Sequence, residues 1–258
     1  MKFESDIKIQ SIPENMTFTI RFNEQNATLP RATREKIDRY WHDQCRENPN
    51  LRNGEVFTVI GTQKTATTLE VELKQTDYAH YLYSDRHVGE LGRRSVRIIH
   101  SAALVVTTDN KLVFGSMGPQ TSRHGTIQCC GGGLDRNDIR DGIVDIEHNT
   151  AKELGEELGI DPYDTDRVAS FRPAYLKSGG PRGKMTVIYE VCLRETASEF
   201  LAAYAAFTDS LTRRGKEPEF GEIYYLERER QVLEKFASEH KERLDEYMMP
   251  LLRSVVDE

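Results

Sequence analysis

The chain is poor in cysteine and gives what it has no pairing pattern. Cys45, Cys129, Cys130 and Cys192 are its only four, none is spaced as CxxC, and two are adjacent. Neighbours in a strand point to opposite faces, so neither a zinc site nor a disulfide framework is expected; reduced thiols in a reducing compartment are. Long apolar runs are also missing. Nothing approaches the ~18 residues that suggest a membrane span, and the opening MKFESDIKIQ has no apolar signal region. A cytoplasmic protein with no membrane partner is expected. Positive charge is in deficit, with 35 Lys and Arg against 42 Asp and Glu, net −7. That balance gives no general attraction to nucleic acid, and a polyanionic ligand would need a local basic pocket. No Ser-His or Cys-His arrangement is recognisable, so covalent catalysis has no obvious nucleophile.

What is present suits a soluble fold. The 258 residues suffice for one large domain or two small ones, and 38% hydrophobic residues can supply a core. The most informative stretch runs from Gly131 to Ile160. It opens on Gly131-Gly132-Gly133 and closes on Lys152-Glu153-Leu154-Gly155-Glu156-Glu157-Leu158-Gly159-Ile160. A helix closed by Gly159 places Glu153, Glu156 and Glu157 within an arc of roughly 100°. Three carboxylates that close repel one another. They form either a solvated acidic face or a site for a hard divalent cation with oxygen ligands.

The segment resembles the Nudix box, whose pattern is Gly, five residues, Glu, seven residues, then Arg-Glu-apolar-x-Glu-Glu-x-Gly-apolar. From Glu153 to Ile160 every specified position matches. The resemblance implies a loop-helix-loop that holds Mg²⁺, or Mn²⁺, against a diphosphate. Glu153, Glu156 and Glu157 would be the metal carboxylates, with Glu153 and Glu157 also catalytic. Gly132, Gly133 and Lys152 of the box, with Arg123 and Arg172 beside or within neighbouring predicted strands, are the candidate substrate contacts. There are two departures. Lys152 stands where the pattern has Arg, a point charge in place of a two-pronged donor. Gly133 also lies nineteen positions before Lys152 where the pattern needs fourteen, so the middle glutamate falls at Val144. An insertion carrying Asp135, Asp138, Asp141 and Asp145 fills the gap.

Upstream, Phe18, Ile20 and Phe22 alternate with polar residues as a half-buried strand, and Asp6–Gln10 is a candidate to pair with it. A helix is expected over 32–46, strands over 56–61 and 68–73, then a segment rich in tyrosine (Tyr78, Tyr81, Tyr83). Trp41 and these tyrosines either stack a nucleobase or pack in a core. Trp41–Gly61 and Thr76–Asp85 resemble the N-terminal domain of the UDP-glucose/UDP-galactose diphosphatase type of Nudix protein, which also carries an elongated box.

From Val96 the pattern reads as a hairpin (98–107 with 112–115), a short strand over 125–130, the box helix, strands over 168–176 and 185–193, and a helix over 196–212. Arg172, Lys177, Arg182 and Lys184 are either phosphate contacts or surface charges. Glu219 and Glu222 sit where Nudix enzymes often place an acidic loop, and are candidates for a base or a further metal ligand. Amphipathic helices end the chain, with Pro250 at a bend or break; their apolar stripe packs on the core or on a second copy, making a homodimer.

The expected fold is α+β: a Nudix fold over residues 96–258, its mixed sheet sandwiched between helices, preceded by a smaller α/β domain over 1–95. The expected activity is Mg²⁺-dependent hydrolysis of a nucleoside diphosphate derivative, foremost a UDP-sugar, to a nucleoside monophosphate and a sugar phosphate. ADP-ribose, a dinucleoside polyphosphate or a coenzyme A derivative are alternative substrates. A Nudix-fold nucleotide-binding or regulatory protein without hydrolysis is the alternative class.

Overall fold

Alternating apolar positions in two groups of strands build two mixed sheets that pack on each other. The computed structural model describes residues 7–121 and 123–256. Among these are twelve strands and six α-helices, an α+β arrangement. None of the described helices is long and apolar enough to cross a membrane.

The smaller sheet has strand order β3-β4-β2-β9-β8. In it β2 (Thr17–Asn26) runs parallel to β4 (Thr68–Asp77), which pairs antiparallel with β3 (Glu55–Lys64). Helix α1 (Arg31–Glu47) links β2 to β3 and buries Ile37 against Ala79 and Tyr83 of α2 (Tyr78–Arg86). Asp77 caps α2 by accepting from the His80 amide.

The larger sheet has strand order β1-β10-β11-β5-β6-β12, with β7 on β6. Here β1 is Lys8–Ser11, β5 Ile99–Val106, β6 Lys111–Met117, β7 Ile127–Gln128, β10 Val168–Ser178, β11 Met185–Leu193 and β12 Phe220–Glu227. Alternation in β5 decides its two faces. Ala102, Leu104 and Val106 join the core beneath α5 (Arg230–Glu239) and α6 (Met248–Ser254). Ala103 and Val105 join the core beneath the box helix and α4 (Ala197–Arg213). Cys129 and Cys130 follow the same rule, one in each core. The sheet is therefore covered by helices on both sides.

Two exchanges cross the division expected near residue 95. Strand β1 pairs with β10 in the larger sheet. This corrects the expected pairing of the 6–10 segment with β2; Asp6 lies outside the described residues. In return, the aspartate-rich insertion folds as a hairpin, β8 (Ile139–Arg140) and β9 (Ile143–Val144), and β9 pairs with β2. Asp141 and Gly142 turn this hairpin with φ of 50° and 76°, the doubly positive turn that suits strand twist. Val144, where the strict motif needs glutamate, is a buried strand residue facing the smaller sheet's core. Pro250 does not break a long helix: it lies in the first turn of α6, where its missing N–H costs nothing. The C-terminal stripe packs on the larger sheet through Leu233 and Phe236.

Candidate functional site

After β7 the backbone passes beside β5, bridging Cys130 to Ala103 and Gly133 to His100. Two of the three glycines between are required by close approach. Gly131 has φ 148°, and a Cβ there would fall 2.3 Å from the Ser101 carbonyl oxygen. A Cβ at Gly132 would meet the Glu153 carboxyl carbon at 2.5 Å. The Gly131 amide donates to Glu157 Oε2 at 3.0 Å. The loop and the acidic helix end are thus pressed together.

That helix end departs from the expected α-helical spacing. Helix α3 (Ile146–Glu153) is capped by Asp145 and passes into a π-helical turn, Leu154–Leu158, which Gly159 closes with φ 66°. The Gly159 amide reaches back five residues to the Leu154 carbonyl. Such widened turns recur at functional sites. Glu157 is 2% exposed and the Glu153 side chain 14%, whereas Glu156 stays exposed.

Burial pushes the Glu153 carboxyl up to about 7; Lys152 opposes this, and Glu156 and Glu219 add to it. Glu157 is raised well above the ordinary carboxylate range by burial first and Glu219 second. Glu219 is raised by burial, then by Glu156. The acids share one field, offset at Glu153 by Lys152, which also serves Asp135 and Asp138. Among the described residues no three His, Cys, Asp or Glu side chains converge as a metal-holding group. The donors are still all oxygen and short of positive charge. They fit a cation such as Mg²⁺ or Mn²⁺, which takes one or two carboxylates and completes its shell with water and substrate phosphates.

Lys152 Nζ lies 2.9 Å from Asp135 and 3.4 Å from Asp138, and 3.7 Å from Glu153. Asp138, fully buried, also accepts from the Asp135 amide and from Asn149 Nδ2, while Asn149 donates to the Gly133 carbonyl. Lys152 therefore ties the inserted loop to the helix and does not reach the cleft. Asn149 and Asp138 form a polar layer under the glycines that motif matching gave no reason to single out.

A cleft of about 1290 Å³ opens on Gly131–Gly133 and is lined by both layers of the fold. Glu219 lines it. Glu222 does not: it lies on the exposed side of β12, bonded to the Tyr224 hydroxyl and 4.0 Å from Arg243. Arg123 lines the cleft, held by Asp245 and by Gln128 at 3.2 Å. Arg172 lies away from it, paired with Glu190 at 2.7 Å. Lys177, Arg182 and Lys184 line the far end, where they meet Asp85 and Glu246. Of the aromatics, Tyr78 and Tyr81 line the cleft, while Tyr83 is buried and Trp41 packs edge-on against Tyr78.

No family model matches the chain, and no curated protein matches it in sequence. Solved structures resemble it loosely. DR0079 from Deinococcus radiodurans shares 17% identity over 62% of this chain and 83% of its own, with a TM-score of 0.41. The NUDIX domain of Shewanella oneidensis NrtR, complexed with ADP ribose, shares 12% over 63% of this chain and 88% of its own, TM-score 0.37. A bifunctional NMN adenylyltransferase/ADP ribose pyrophosphatase from Francisella tularensis, complexed with AMP and a Mn ion, shares 9% over 62% of this chain, TM-score 0.39; the match spans only 41% of that protein. Likenesses this loose carry no activity across.

Proposed function

We propose that the chain is a Nudix-type pyrophosphohydrolase that uses Mg²⁺, or Mn²⁺, to cleave the diphosphate of a nucleoside diphosphate derivative, a UDP-sugar foremost. The observation that carries this reading is the packing of Glu153 and Glu157 against the glycine loop, where the nearby cation Lys152, 3.7 Å from Glu153, is shared with Asp135 and Asp138, beside a cleft that Glu219 lines. Two carboxylates this enclosed, with one lysine shared among them and two aspartates, cost several kcal/mol, roughly, unless they stay protonated or gain a further cation. A divalent cation held there would neutralise charge on a pyrophosphate and lower the pKa of a bound water. The chain's own part is to orient. Glu153 and Glu157, packed behind the glycine loop, would hold the cation, and Gly131–Gly133, which line the cleft, let a phosphate approach the backbone. Glu219, from the loop before β12, takes a proton from the attacking water. Water adds to one phosphorus, the bridging P–O bond breaks, and a nucleoside monophosphate and a sugar phosphate leave. The UDP-sugar preference rests on the resemblance over Trp41–Gly61 and Thr76–Asp85. ADP-ribose, dinucleoside polyphosphates and coenzyme A derivatives contain the same scissile bond.

A second reading, a nucleotide-binding protein without hydrolysis, is favoured by the absence of a converged carboxylate triad among the described residues. One screen separates them. The chain is incubated with nucleoside diphosphate derivatives, with and without Mg²⁺ or Mn²⁺, and products are identified by mass. Metal-dependent release of a nucleoside monophosphate is expected; ligand affinity with no product in any incubation would establish the binder instead.

A further inference from the structure

Helix α2 belongs to the N-terminal layer, yet one side of it walls the cleft that the glycine loop bounds on the other. Tyr78, Tyr81, Leu82, Asp85 and Arg86 all line that space. Both tyrosines are half-buried and held in place. Tyr78 has the Trp41 ring edge-on at 6.0 Å and the Tyr81 ring at 5.7 Å. The Tyr81 hydroxyl takes a hydrogen bond from Lys184 Nζ at 3.1 Å.

Three cations at this end are committed, while Arg86 stays exposed. Lys184 and Arg182 each lie 2.8 Å from Asp85, and Lys177 lies 2.6 Å from Glu246. A phosphate arriving here would compete with carboxylates already bound; an uncharged ring would not. The lining also holds a polar atom left without a hydrogen-bond partner, His100 Nδ1, while its Nε2 meets the Thr186 hydroxyl at 3.2 Å. Unsatisfied buried polar atoms beside a cavity call for a ligand or water with hydrogen-bonding edges. A fixed aromatic pair, three cations already paired and an unsatisfied polar atom together describe a subsite for a flat heterocycle.

We infer that Tyr78 and Tyr81 are the platform on which the nucleobase of the substrate stacks, so that the N-terminal layer reads the half of the nucleotide that does not react. This rests on the nucleotide reading above, and the test uses ligands without a scissile bond so that the two fail separately. Calorimetry with the full chain in magnesium buffer compares UMP and AMP with ribose 5-phosphate, which has the phosphate and sugar but no base. The base should tighten binding by about tenfold or more, the worth of one stacked ring. Tyr78→Ala and Tyr81→Ala should remove that advantage and leave ribose 5-phosphate unchanged. Tyr78→Phe and Tyr81→Phe, which keep the rings, should retain it. Proton resonances of the two rings should shift on adding UMP or AMP and not on adding ribose 5-phosphate. Equal affinity for ribose 5-phosphate and both nucleotides, an undiminished base advantage in the alanine variants, or unmoved ring resonances would each overturn the assignment. Absence of turnover on any diphosphate would sink the hydrolase reading and leave these comparisons intact.

Discussion

The Gly131 amide donates to the Glu157 carboxylate across 3.0 Å, joining the glycine loop to the π-helical turn. Glu157→Gln keeps an acceptor oxygen for that amide and removes the charge. Metal-dependent turnover should fall by more than the roughly 100-fold that outer-shell changes at metal sites cost. The melting temperature of the metal-free protein should not fall, since a neutral amide is easier to bury than a carboxylate. Steady-state kinetics across a panel of sugar nucleotides and a thermal melt check both; turnover at the wild-type rate would remove Glu157 from the site.

Two neighbouring glycines should respond differently to a methyl group. At Gly131 the added carbon meets backbone, 2.3 Å from the Ser101 carbonyl oxygen and 2.7 Å from the Ala102 Cα, and the positive φ resists a side chain. Gly131→Ala should destabilise the fold by about 2 kcal/mol or more. At Gly132 the obstruction is the movable end of Glu153. Gly132→Ala should melt close to wild type yet lose most metal-dependent activity by displacing that carboxylate. Denaturant titration of both variants, with kinetics on the second, separates the effects.

Most element types were legible because periodicity is strong where one face is buried: α1, the β5–β6 hairpin, β11 and α4 fall where the pattern placed them. Partners were not. Nothing local in Ile9 or Gln10 says that they pair with Lys177 and Leu176 far along the chain instead of with β2. The insertion read as charged loop because four aspartates look alike in sequence. In the structure Asp135 and Asp145 cap helices, Asp141 holds a positive-φ turn position, and Asp138 is buried. The acidic helix end was visible in the spacing. The π turn that buries Glu157 and leaves Glu156 exposed was not, because a shift from fourth- to fifth-residue bonding leaves no mark in composition.

Asp138 fixes the inserted hairpin to the box helix. It accepts from the Asp135 amide at 2.8 Å and Asn149 Nδ2 at 2.9 Å, and faces Lys152 Nζ at 3.4 Å. Asp138→Ala leaves the Asp135 amide and one Asn149 N–H without an acceptor, while Lys152 keeps Asp135 and Asn149 keeps the Gly133 carbonyl, at a cost of about 2 kcal/mol. Lys152→Met should cost less, because Asp138 keeps its two other donors. Hydrogen exchange should show 134–145 opening in Asp138→Ala while the larger sheet stays protected; uniform loss of protection would show that the insertion is not a separate unit.

The buried acids also fix how the metal-free protein responds to pH. Glu153 titrates near about 7 when folded, against an ordinary value of 4.5, with burial the main cause. Between those values the folded chain holds a proton that the unfolded chain has released, so stability falls as pH rises. Its contribution is full below the ordinary value and gone once pH passes the folded one. Glu157, also raised well above the ordinary carboxylate range by burial, acts in the same direction. His100 opposes them lower down: burial holds it near about 4 against an ordinary 6.5, so its contribution is full above 6.5 and lost as pH falls through 4. Above 6.5 the glutamates act without that opposition. In chelator the melting temperature should therefore drop from about pH 6.5 to about pH 8, and Glu157→Gln should flatten the drop. Added Mg²⁺ should raise it more at the higher pH, because ligands must be deprotonated to bind. A wild-type melting temperature that climbs over this interval in chelator would show that Glu153 and Glu157 are not held as buried acids.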